Sequence, residues 1–231
     1  MDRENLRDVV AQTEVLRAPK QLLSTFGTTC IQYFLLTEPV YEDTTSTPSR
    51  ETVVRRGTVT SARPQIITPY YLFNLFQGFE HGQQFARYLH ESLGPNAPGL
   101  MYSYRNELTE TSIVSEPLST VAGRLSEQLE RDGAGLTAVL RGVDYLWDVS
   151  LMKLIFDVTI QSIGSNVADL DRRGLLASDG GIPHGIRRRL EKMFAAVAQG
   201  DLAAPELKAE LDRWGLFAEY EDRFLDLFRG R

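Results

Sequence analysis

Hydrophobic positions along the chain change period several times, and each change marks an element. Leu6, Val9, Val10, Thr13 and Leu16 recur at spacings of three, four and seven, which places them on one face of a helix over residues 3–16, with Ala18-Pro19 interrupting it. Thr29–Leu36 and Glu51–Thr60 are rich in β-branched and aromatic residues and read as strands. The polar stretch between them, residues 42–49, reads as a loop. Thr68-Pro69 is a helix start: the threonine oxygen can cap an orphan amide, and proline lacks the donor that the first turn leaves unpaired. That helix is predicted to run to Leu93, with Leu72, Leu75, Phe76, Phe79, Ala86 and Leu89 as its stripe, and to end at Gly94-Pro95.

A second strand pair is predicted at Leu100–Arg105 and Thr111–Ser115. From Ser115 onward the pattern is read as helical throughout. One helix runs from Leu118 to Arg131 and breaks at Asp132-Gly133; the next covers the most apolar segment, Val143–Ile163. On that segment Val143, Trp147, Leu151, Leu154 and Val158 project to one side, and Leu146, Val149, Met152, Phe156 and Ile160 to the other. Two apolar sides predict a central helix buried between layers. Ser178–Pro183 reads as a linker before three short helices, with Gly200 and Gly215 at left-handed helix ends.

The expected fold is therefore α+β: a four-stranded antiparallel sheet with covering helices, a buried central helix and a helical carboxy-terminal region. The expected division is a main domain over residues 1–177 and a helical subdomain over 178–231.

Charge narrows the function classes. The 231 residues carry 25 basic and 31 acidic side chains, a net charge of −6, which argues against nucleic acid and anionic bilayers as partners. Lys153 and Asp157 interrupt the best candidate membrane span. A single cysteine, Cys30, rules out an intramolecular disulfide; it is expected as a small buried hydrophobe on a strand, and a cytoplasmic location is the corresponding expectation. The charged amino terminus is not followed by a signal-peptide core.

Chemistry-bearing motifs are sparse. His81 and His90 stand about 180° apart on a helix, His184 is remote, and no HExxH or CxxC spacing supports a metal site. Walker A, Gly-x-Gly-x-x-Gly and Gly-x-Ser-x-Gly patterns are absent, so no cofactor is expected. Asp144 and Asp148 lie one turn apart in a polar seam of the central helix, the arrangement an acid–base pair requires if the seam is buried. Lys153 and Asp157 read as a structural ion pair. Arg50, Arg55, Arg56 and Arg63 fall within fourteen residues and suit carboxylate or phosphate recognition, although Arg55 and Arg56 point to opposite faces of a strand unless a bulge at Gly57 joins them. Arg187, Arg188 and Arg189 fan out around a helix. Tyr102, Tyr104, Arg105 and Asn106 have the ingredients of a ligand platform.

Trp214, Phe217, Phe224 and Phe228 supply the carboxy-terminal helices with packing residues and with candidate partner anchors. The expected function is a binding, regulatory or scaffold role toward a protein partner, self-association included, or a small ligand. The alternative is an enzyme for a small anionic or phosphate-containing substrate, with arginine clamps and Asp144/Asp148 as acid and base. A third is nucleic-acid binding through Arg55 and Arg56.

Overall fold

The computed structural model describes residues 3–39, 51–75, 87, 90–92, 94 and 96–229, the side chains of 3–6 excepted. The chain forms two compact units: Met1–Pro64 with Tyr102–Asn166, and Gln65–Met101 with Val167–Arg231. The boundary expected at 177/178 falls inside the second.

The first unit is built on a five-stranded sheet in the order β1-β7-β2-β3-β6. Its elements are α1 (Arg3–Gln12), β1 (Glu14–Arg17), β2 (Thr29–Thr37), β3 (Thr52–Ser61), β6 (Tyr104–Val114), α3 (Leu118–Arg131), β7 (Thr137–Arg141) and most of α4 (Trp147–Arg172). β2 and β3 pair antiparallel from Thr29 opposite Ser61 to Thr37 opposite Val53. β2 and β7 are parallel, which requires the crossover through α3. Alternation along the strands divides their side chains between two layers. Ile31, Tyr33 and Leu35 meet Ala138, Leu140, Leu151, Leu154 and Val158 beneath α4. Leu36 and Val139 meet Leu118, Val121, Ala122 and Leu129 of α3 on the opposite face.

The mixed α+β class holds, and four details of the expected architecture are corrected. The sheet has five strands, not four antiparallel ones, because Glu14–Arg17 joins it at one edge and Thr137–Arg141 is a strand inside the region read as helical. Its run of four buried residues lacks a period since both faces are covered. The predicted strands at 100–105 and 111–115 are reorganised. Tyr104–Val114 is one continuous edge strand, exposed over most of its length, whereas Gly99–Met101 pairs outside this sheet. The first helix stops at Gln12: Thr13 donates its hydroxyl to the Val9 carbonyl at 2.7 Å, and Leu16 belongs to β1.

The fourth correction concerns the central helix. The side carrying Leu151, Leu154 and Val158 is buried as expected; on the other side Val149 is buried and Leu146 half-buried, but the residues from Met152 on are open to solvent. Met152, Phe156, Ile160 and Ile163 are exposed by 59%, 63%, 54% and 37%. The sheet occupies one side of α4, and the described residues of this unit place no second layer on the opposite one.

The second unit contains the ribbon β4 (Gln65–Ile67) with β5 (Gly99–Met101), α2 (Pro69–Leu75), the short ribbon β8 (Ser178–Asp179) with β9 (Ile182–Pro183), α5 (His184–Gln199), α6 (Ala204–Arg213) and α7 (Phe217–Arg229). Thr68 caps α2 as predicted, its hydroxyl accepting from the Tyr71 amide at 3.2 Å. The rest of the helix expected to reach Leu93 lies largely outside the described residues. Gly200 and Gly215 take φ of 84° and 66°, the left-handed helix ends expected of them. Short helices cannot stand alone, and these pack on a shared core of Leu190, Phe194, Leu207, Leu211, Trp214 and Phe224.

Candidate functional site

At the carboxyl ends of the parallel strands β2 and β7 a polar cluster gathers three residues. Asp144 opens a 3-10 turn, Asp144–Leu146, just before α4. Its Oδ1 accepts from Thr37 Oγ1 at 2.6 Å and from Arg55 Nη1 at 2.8 Å. The Arg55 guanidinium also donates to Thr37 Oγ1 at 2.9 Å and lies 5.5 Å from the centre of the Trp147 ring. Asp144 thus spends its charge on Arg55, while Asp148 is exposed at the start of α4. The structure brings together one expected arginine and one expected aspartate, but as an ion pair between them.

Arg56 faces the opposite side of the sheet, over Phe34 at 5.6 Å. A bulge is present: Arg56 stands opposite Glu110 and Gly57 opposite Leu108, leaving Thr109 as the extra residue of β6. Because that residue is inserted in the neighbouring strand, it does not bring Arg56 round to Arg55. Gly57 serves a different purpose, since a Cβ there would collide with the Tyr33 hydroxyl. Arg63 and Arg105 are exposed, and Arg105 lies 3.7 Å from Glu107. Arg50 and His81 lie outside the described residues; His90 and His184 are exposed. Among the described residues no group of three or more His, Cys, Asp or Glu is placed to hold a metal ion. Cys30 is exposed, contrary to expectation, because odd and even positions of β2 alternate and Ile31 takes the buried side.

Tyr102 and Tyr104 stack with centroids 6.4 Å apart, yet both hydroxyls are already engaged by α4. Tyr102 accepts from Asn166 Nδ2 at 2.9 Å, and Tyr104 pairs with Thr159. Tyr33 donates to Asn106 Oδ1 at 3.0 Å. Burial pushes all three phenols above the ordinary tyrosine range, only partly offset by these bonds. The rings fasten the sheet to α4.

Of the four carboxy-terminal anchors, Trp214 and Phe224 are buried, which corrects their assignment to a surface; Phe217 is half-buried and Phe228 exposed. Trp214 donates its indole N–H to Glu210 at 3.2 Å. Glu210, a buried carboxylate, also accepts from Tyr71 at 3.3 Å and lies 3.3 Å from both Arg189 and Arg213. Arg187 donates to Glu219 at 2.6 Å, so Arg187 and Arg189 of α5 serve separate structural partners while Arg188 is exposed. These groups account for one another and hold the second unit together.

What stands out is the wet side of α4. Met152, Phe156 and Ile160 follow at intervals of four residues and make one ridge along the helix, with Ile163 beside it. Lys153 and Asp157 border the ridge, paired at 2.7 Å as the sequence indicated. Tyr145, immediately before the helix, is exposed by 66%. The ridge residues were legible in the sequence as apolar and helical; their exposure was not, since periodicity reports which positions share a face and not what covers it.

Comparison with protein-family models, with curated proteins and with solved structures gives no match to this chain. No helix among the described residues is long and apolar enough to cross a membrane.

Proposed function

We propose that the protein is a protein-binding module whose contact surface is the open side of α4. The observation that carries this reading is the contiguous exposure of Met152, Phe156, Ile160 and Ile163 on a helix whose opposite side is anchored in the sheet core. Scattered exposed apolar residues are normal on a protein surface, but a ridge of large ones on a rigid element is what helix-in-groove recognition uses. A bilayer is the weaker occupant: interfacial helices depend on a basic border, whereas this ridge has one lysine beside Asp157 and the exposed Asp148 at its amino-terminal end, in a chain of net charge −6. The polar cluster supports catalysis less well, because its arginine and aspartate neutralise each other.

Site-specific photocrosslinking tests the assignment. A benzophenone amino acid replacing Phe156 or Ile160 in cells making the protein is expected to give discrete protein adducts. The same group replacing Glu127, on the exposed side of α3, is expected to give none. Equal labelling at all three positions, or none at 156 and 160, would refute the reading.

A further inference from the structure

We infer that the occupant of the α4 ridge is a second copy of this chain, packed antiparallel about a two-fold axis at Phe156; this rests on the reading of the ridge as a protein contact. The argument begins from the order of residues. A two-fold axis perpendicular to the helix reverses the sequence, so with Phe156 on the axis each Met152 meets the Ile160 of the other copy and the two phenyl rings meet each other. The apolar row of each helix then faces the apolar row of the other in reverse order.

The border residues match the same operation. In an antiparallel pair a given border of one helix runs beside the same border of the other, in reverse order. Lys153 and Asp157 lie on one border, their side chains exposed by 25% and 35%, and their midpoint, residue 155, is one position from the proposed axis. Lys153 of each copy therefore comes within about 3 Å, measured along the helix, of Asp157 in the other. One cation and one anion on the same border complement their own reversed image, whereas they make no uniform field for a strongly charged foreign partner.

The size of the surface sets the strength. At their observed exposures the four ridge side chains present about 400 Å². Two such faces, with their borders, stay below the roughly 1,200 Å² that marks the lower end of stable interfaces. The dimer is accordingly weak and reversible.

Sedimentation equilibrium of the purified full chain between about 1 and 200 μM spans the micromolar range in which a small interface associates. The wild-type chain is expected to pass from monomer to dimer across the range, and Phe156→Glu to remain monomeric with an unchanged circular dichroism spectrum. Lys153→Asp is expected to weaken the dimer about tenfold, and adding Asp157→Lys to restore it to within about threefold, because both copies exchange charges together. A wild-type chain that stays monomeric overturns the proposal, as does a Phe156→Glu chain that still dimerises or a double exchange that remains as weak as the single one. Adducts at residue 160 to other proteins, with a monomeric purified chain, would retain the ridge as a protein contact and reject the second copy. Absence of adducts together with a monomeric chain would reject both.

Discussion

Tyr33, Tyr71, Tyr102 and Tyr104 show how single side chains tie the elements of each unit. All four have phenols raised above the ordinary value, with burial as the leading cause. A phenol that binds its proton more tightly when folded contributes stability that is fully present below about pH 10 and lost as pH rises through its folded value. Spectrophotometric titration is therefore expected to show these tyrosines ionising later than the rest in the native chain, and all tyrosines ionising as one class in concentrated urea. Tyr104→Phe should reduce the loss of stability above pH 10, measured as the urea midpoint against pH, at the cost of its bond to Thr159. A profile unchanged by that substitution would mean that Tyr104 is not among the residues responsible. The tyrosines were readable as aromatic strand residues; their hydroxyl partners at 159 and 166 lie more than fifty positions away, beyond anything local pattern conveys.

For the elements, the decisive case is α4. Leu154 is 2% exposed and Phe156 is 63% exposed, two residues apart on one helix. Leu154→Ala is expected to cost about 2–5 kcal/mol, the loss typical of a buried leucine. Phe156→Ser is expected to change stability by less than about 1 kcal/mol, because only helix propensity and little packing is at stake. Urea unfolding of both variants checks the contrast, and comparable losses would show that the ridge is covered in the isolated chain. The other misread elements have equally specific causes. β7 is buried on both faces and so carries no alternation. β6 is exposed along most of its length, so its polar residues resemble those of a loop. Thr68-Pro69, Gly200 and Gly215 were read correctly because caps and left-handed ends depend on local stereochemistry.

Across the whole molecule, the cores of the two units share no residue: Leu140 belongs with the sheet and α4, Leu211 with the carboxy-terminal helices. Both are fully buried. Leu140→Ala and Leu211→Ala are each expected to cost about 2–5 kcal/mol. Hydrogen exchange read by mass spectrometry should place the lost amide protection mainly in the unit that holds the substitution. Loss spread equally over both units would show that they unfold as one. The sequence by itself determined the α+β class, the helix starts and ends that rest on proline, threonine and glycine, the pairing of Lys153 with Asp157, and the lack of a recognisable metal or nucleotide motif. Tertiary structure alone decided that a fifth strand lies beside β2, that residues 65–101 belong with the carboxy-terminal helices, that Arg55 meets Asp144, and that one apolar side of α4 is wet. The physical reason is common to all four. Local stereochemistry and periodicity act over a few residues, whereas burial depends on which distant segment arrives to exclude water.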